Sequence, residues 1–333
     1  MKSVAINLDS VSDLIRASTQ PDVWLVEGLI EEGDQVVLSG PPKSGKSLLA
    51  SQLALAVSSG EQFLGWQVPM PRKVLYVNLE LRPKRFGKRL IAQAGSVRIF
   101  HRYSNLQTLN ELRTLDIQDA GQVAVFATLV KELGIELVVW DVLARMHSAD
   151  ENDNPSMRAV MHSIRVASAD CAHVVLHHAR KPASGQENVN LGAAGMRGAS
   201  SIHGEADLVI SLHVRSGQGG RFSLKFSARN VEEPDEMMLD RDPVTLLFRE
   251  AAEGETRRLQ SIIHAVFSDG TTCQPKALAD HIMAVFAVKE RRAKQLIQSA
   301  VAKGWIARLS LPGRRYNYQL LGGDDLVSQA KLN

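Results

Sequence analysis

From about residue 36 to residue 250, short runs rich in β-branched residues alternate with longer stretches whose apolar positions recur every three or four residues. The short runs are QVVLSG (35–40), KVLYVNLE (73–80), VRIFH (97–101), LVVWD (137–141), HVVLHH (173–178) and DLVISLHV (207–214). Most are apolar throughout rather than alternating, as a strand covered by helices on both faces requires. Between them KSLLASQLALAVSSG (46–60), RPKRFGKRLIAQAG (82–95), AGQVAVFATLVKELG (120–134) and PSMRAVMHSIRVASAD (155–170) carry the helical period. Strand and helix taking turns in this way predict an α/β core with a mainly parallel sheet in three layers. After Ser211 a Gly-rich turn separates two alternating segments, which predicts an antiparallel hairpin. The acidic, Pro-containing stretch that follows predicts an edge strand running into a linker.

Beyond residue 256 the period changes. Helical patterns at 257–269, 274–287 and 289–305 precede two short strands within 306–321, around Pro312-Gly313. Three helices and a β-wing within about 65 residues describe a winged helix-turn-helix. The expected organisation is an N-terminal segment (1–21), an α/β core (22–250), a winged-helix domain (256–322) and a flexible tail (323–333).

Composition narrows the class. At 333 residues, 44% hydrophobic and 23% charged, the chain is neither disordered nor low in complexity. No apolar run reaches the roughly 20 residues of a membrane helix, and the first residues form no signal-peptide core. Cys171 and Cys273 match neither a metal pair nor a disulfide framework, so the expectation is a cytoplasmic protein without a membrane partner. The net charge of +3 hides an asymmetry: residues 256–322 hold eleven Lys/Arg against three acids, a net +8, and the rest of the chain is left at −5. So compact a basic segment points to DNA as partner. Lys289, Arg291, Arg292 and Lys294 open the third helix, and Arg314 and Arg315 sit on the wing beside Tyr316, so these six cations are the expected DNA contacts. A solvated helix packed as a domain interface would carry the same residues.

The strongest chemical signal is Gly40-Pro41-Pro42-Lys43-Ser44-Gly45-Lys46-Ser47, a G-x-x-x-x-G-K-S placed between a predicted strand and a predicted helix that continues with Leu48. The glycines let backbone N–H groups turn toward phosphates, Lys46 reaches the β/γ oxygens of ATP, and Ser47 ligates Mg²⁺ at a helix N-terminus. Asp141 ends LVVWD at a strand edge where α/β sheets bind ligands, and fits a second residue of the Mg²⁺ shell or a helix N-cap.

The order of these motifs, with Glu80 ending the next strand and a polar pair ending the strand after Asp141, resembles the RecA-type ATPases. Within them the segment from about Trp24 to Phe248 is similar to the RepA-like hexameric DNA helicases. That resemblance implies ATP and Mg²⁺ as cofactors, a homo-oligomeric ring, most simply a hexamer, and Glu80 as catalytic base. It places His177 and His178 where a γ-phosphate sensor stands, although a His pair also fits structural histidines or half of a metal site. Arg197 in MRGASS matches an arginine finger acting across a subunit interface, and otherwise reads as a solvated loop residue. Where relatives carry K-x-R, this chain has Ser227-Ala228-Arg229; strand alternation puts Lys225 on the face of Arg229, so Lys225 is the available substitute. The loops expected to face a pore, HSADENDNPS and ASGQENVNLGAAGMRG, carry few cations. The leading expectation is an ATP-hydrolysing DNA motor of plasmid or mobile-element replication. The alternatives are an ATP-dependent regulator that binds duplex DNA without unwinding it, and a protein-binding ATPase with a basic tail.

Overall fold

The computed structural model describes residues 10–95, 101–110, 115–178, 199–215, 221–267, 272–286, 288–312 and 315–321. Helix α1 (Val11–Ser18) precedes a small antiparallel pair, β1 (Trp24–Val26) and β2 (Ile30–Glu31). The core then runs β3 (Gln35–Gly40), α2 (Lys46–Ser59), β4 (Val74–Asn78), α3 (Pro83–Ala94), β5 (Leu106–Asn110), α4 (Ala120–Leu133), β6 (Leu137–Asp141), α5 (Asn154–Ala167) and β7 (Ala172–His178). It finishes with α6 (Ala199–Glu205), β8 (Leu208–Val214), β9 (Arg221–Ala228), β10 (Met237–Arg241) and β11 (Phe248–Glu250).

These strands form one nine-stranded sheet in the order β11-β10-β9-β8-β3-β7-β6-β4-β5, parallel from β8 to β5 and antiparallel from β8 to β11. The central strands are buried on both faces, which is why their sequences are apolar throughout. On one face Leu49, Leu53 and Val57 of α2 pack with Val36, Leu38, Tyr76 and Val139. On the other, Phe126, Val160, Ile164 and Ile202 of α4, α5 and α6 pack with Val37, Val77, Val138 and Trp140. Side chains of Asp119 and Asp153 accept from the first N–H groups of α4 and α5, and left-handed Gly60, Gly95 and Gly134 end α2, α3 and α4.

The parallel strands bring their C-terminal ends to one edge. Gly40, Asn78, Asp141 and His178 all lie there, at the crevice where such sheets bind ligands.

Two expectations need correction. The run at 97–101 is not the strand beside β4: residues 97–100 lie outside the described residues, His101 is in a helical turn, and β5 is formed by LQTLN (106–110). This is an edge strand, half exposed, so its pattern is polar. The expected linker after the hairpin is instead the start of a helix, α7 (Ala252–Val266), one residue beyond β11.

Past it come β12 (Thr272–Cys273), α8 (Pro275–Phe286), α9 (Glu290–Ala302), β13 (Ile306–Leu311) and β14 (Arg315–Leu320). The three strands pair antiparallel in the order β12-β14-β13 and cover a separate core that includes Leu259, Ile263, Leu278, Ile282, Leu296 and Tyr318. Among the described residues no helix is long and apolar enough to cross a membrane.

Candidate nucleotide site

The loop from Gly40 to Ser47 joins β3 to α2, and its two glycines are required by close approach. A Cβ at Gly40 would lie 2.6 Å from the Leu212 carbonyl oxygen; at Gly45, where φ is +101°, it would lie 2.9 Å from Cζ of Phe248. Lys46 is 5% exposed and folds back into the loop. Its Nζ donates to the carbonyls of Gly40 (2.8 Å) and Pro41 (2.9 Å) and to Nδ1 of His178 (3.2 Å). Burial lowers its pKa to about 8, against the pull of Asp141 and Glu80. The buried hydroxyl of Ser44 has no hydrogen-bond partner among the described residues. An anion seated in this loop would give both Lys46 and Ser44 an acceptor, which fits the phosphates of ATP.

Asp141 is 1% exposed at the end of β6. Ser47 Oγ donates to its Oδ1 (3.1 Å) and Tyr76 Oη to its Oδ2 (2.8 Å). Burial raises its pKa to about 6, opposed by those two hydrogen bonds. A buried carboxylate beside a hydroxyl is an oxygen donor set for a hard cation, so Ser47 and Asp141 fit Mg²⁺. Tyr76 is a site residue that the motifs do not reveal. The available signal is register: Tyr76 pairs with Val139 and Asn78 with Asp141, so alternation puts Tyr76 and Asp141 on one face.

Glu80 does not end β4 but stands two residues beyond it, in a turn held by Asn78. Asn78 Oδ1 accepts from the Leu81 N–H (3.0 Å), and its Nδ2 donates to the Leu81 carbonyl (2.7 Å) and to Asn110 Oδ1 (2.7 Å). The turn delivers Glu80 to a cavity of about 410 Å³ shared with Pro42, Lys43, Gly45, Lys46, Ser47, Leu48, Asp141 and His178. Arg89 and Arg241 line it too, and no motif points to either because they come from α3 and β10. Arg241 lies over the Phe222 ring at 5.2 Å. Four cations, Lys43, Lys46, Arg89 and Arg241, face two carboxylates, Glu80 and Asp141, leaving the cavity at +2.

The remaining expected residues are dispersed. The His pair is split by the pleat: His178 reaches Lys46, while His177 is buried in register with Ser39. Among the described residues no three His, Cys, Asp or Glu side chains are grouped to hold a metal ion. Lys225 pairs with Ser211 in mid-sheet. Arg229 follows β9 at the opposite sheet edge, donating to the Gly204 carbonyl and lying 3.9 Å from Asp207. Arg197 and Arg314 lie outside the described residues. Lys289, Arg291, Arg292, Lys294 and Arg315 are all exposed.

A family model of the AAA domain (AAA_25) matches residues 4–184, more than half of the chain. The chain belongs to this AAA domain family. The match takes in the phosphate loop, Glu80, Asp141 and His178 and stops before β8. Two solved structures share the architecture. One is a DnaB-like replicative helicase described with its primase interactions: 14% identity, TM-score 0.55, 72% of this chain and 67% of that one. The other is the ATPase domain of G40P: 14% identity, TM-score 0.56, 74% of this chain and 100% of that one. A search among curated proteins finds no match. The core of this AAA domain protein is thus the RecA-like α/β fold of helicase ATPase domains.

Proposed function

We propose that this protein is an ATP-hydrolysing, DNA-binding motor of the RepA-like replicative helicase type, working as a homo-oligomeric ring, most simply a hexamer, in the replication of a plasmid or other mobile element. The observation that carries the reading is the single cavity joining Lys46, Ser47, Glu80 and Asp141 with a charge of +2, the complement of a magnesium-bound triphosphate.

The residues divide the work. Lys46 exchanges its loop carbonyls for phosphate oxygens, and the N–H groups of Gly45 to Leu48 bind at the start of α2. Ser47 and Asp141 hold Mg²⁺, which when bound neutralises charge on the β/γ oxygens. Tyr76 keeps the Asp141 carboxylate aimed at Ser47. Glu80, on its turn at the mouth, orients and deprotonates the attacking water. His178, against Lys46, registers the γ-phosphate, and Arg197 of a neighbouring subunit supplies the finger. The segment 256–322 is read as a winged helix that holds DNA through Lys289, Arg291, Arg292, Lys294, Arg314 and Arg315.

ATP turnover measured without DNA, with single strands and with duplex tests this reading, together with unwinding of a tailed duplex. Stimulation by single strands with strand separation is expected. Duplex stimulation without unwinding selects the second reading, an ATP-dependent regulator, which the acidic stretch Asp150, Glu151 and Asp153 after β6 favours, since it repels a backbone passing that edge.

A further inference from the structure

Helix α9 carries more than positive charge. Ala293, Leu296, Ile297 and Ala300 bury one side of it. On the opposite side Arg291, Lys294, Gln295 and Gln298, spaced i, i+3, i+4 and i+7, form one exposed stripe. Lys294 is steadied by Glu290 at 2.6 Å one turn earlier. Arg292 donates to Gln295 Oε1 at 3.3 Å. A groove of about 490 Å³, lined by Lys294 and Gln298 of the stripe and by Asp280 and Met283 of α8, runs beside β13 and β14, where Arg308 stacks over Tyr316 at 4.9 Å.

We infer that α9 reads base sequence in the major groove of duplex DNA, with Gln295 and Gln298 facing adenines and Arg291 and Lys294 facing guanines. The inference rests on the DNA-binding reading of the C-terminal segment and specifies it. Glutamine can donate to a phosphate, but being neutral it adds nothing to the salt-dependent attraction, so two glutamines within a cationic stripe suit contacts to base edges better than to the backbone. An amide presents a donor and an acceptor side by side, the pattern of the adenine N6/N7 edge, while Arg and Lys match guanine O6/N7. The four side chains span two turns of one helix, roughly 10 Å, the length that follows about three base pairs along the groove. Lys289, Arg292 and Arg315 flank the stripe and supply phosphate contacts that set register without reading sequence.

The test uses the full chain and a randomised duplex pool, with bound molecules recovered and sequenced, followed by affinities on the enriched site at several salt concentrations. The expected result is an enriched site with adenine and guanine at adjacent positions. Gln295→Ala and Gln298→Ala should each lose roughly 5- to 150-fold of discrimination at one A·T pair and leave the salt slope unchanged. Lys289→Ala should weaken every sequence alike and reduce the slope by about 0.9. Lys289, Gln295 and Gln298 are all exposed, so thermal melting of each variant should coincide with the parent. Duplex binding with a steep salt slope but no enrichment overturns sequence reading and leaves DNA binding intact. Enrichment that survives unchanged in Gln295→Ala/Gln298→Ala overturns the assignment to α9. Absence of duplex binding at every salt concentration overturns the DNA reading of the segment, and this inference with it.

Discussion

The nucleotide cavity and the outer face of α9 use the same side chains, amines, guanidinium groups, carboxylates and amides, in opposite surroundings. In the cavity they are taken out of water. Lys46 falls from an ordinary pKa of 10.5 to about 8, Asp141 rises from 3.8 to about 6, and the hydroxyls of Ser47 and Tyr76 are committed to one carboxylate. On α9 the Glu290–Lys294 pair is about two-thirds exposed on both sides, and solvent and salt screen it. Low dielectric concentrates function into a few irreplaceable atoms, and high dielectric spreads it over many small contributions that add.

The largest effect expected from that contrast is at Lys46. Lys46→Ala removes the ammonium that meets the β/γ oxygens, and nucleotide titration with a turnover assay should show loss of tight binding and roughly 10³-fold slower hydrolysis. Glu80→Gln should cut turnover by roughly 10²-fold while nucleotide affinity stays near the parent value, because only the base is removed. Equal loss of affinity in both variants would reject Glu80 as the base. On the exposed side, charge reversal at Lys289, Arg292 and Arg315 should flatten the salt slope of duplex binding by about 0.9 for every phosphate left without its cation, with DNA-independent hydrolysis unchanged. If one of these three reversals alone abolished binding, the additive picture of the α9 face would fail.

Two smaller effects probe the buried side further. Tyr76→Phe removes one donor to Asp141 at a cost of about 1 kcal/mol, so the Mg²⁺ concentration giving half-maximal turnover should shift about fivefold, with the fold retained. Asp34, between β2 and β3, has its pKa raised to about 6 by burial, with Asp207 and Glu31 adding to the shift. A carboxyl raised above its unfolded value of 3.8 contributes stability below that value and loses it as pH rises through about 6. Asp34→Asn should therefore raise the melting temperature at pH 8, on the order of 2 °C, and the gain should vanish toward pH 4.

How far the sequence could be read follows the same division. Central strands such as LVVWD announce themselves because both faces are buried, and the phosphate loop because close approach leaves only glycine at Gly40 and Gly45. Strand β5 was illegible because an exposed edge needs no apolar pattern, and β12 because two residues carry none. Glu80 was legible as a residue but not as a position, since the turn that carries it depends on side-chain bonds from Asn78 to Leu81 and Asn110. Tyr76, Arg89 and Arg241 join the site from three elements that only the folded sheet brings together.

The passage from β11 into α7 gives the two regions a mechanical relation. Gln52 of α2 bonds both the N–H and the carbonyl of Phe248, at 2.8 and 2.9 Å, so β11 is clipped to the helix that opens at the phosphate loop. One residue after β11 ends, α7 begins, and Arg258 on its second turn pairs with Glu250 at 3.7 Å and donates to the Val285 carbonyl at the end of α8. A flexible tether would fix only how often the basic segment meets its target, through an effective concentration. A clipped strand leading into a helix after one residue leaves little slack between them, so the direction in which α9 faces follows from how β11 is held against α2.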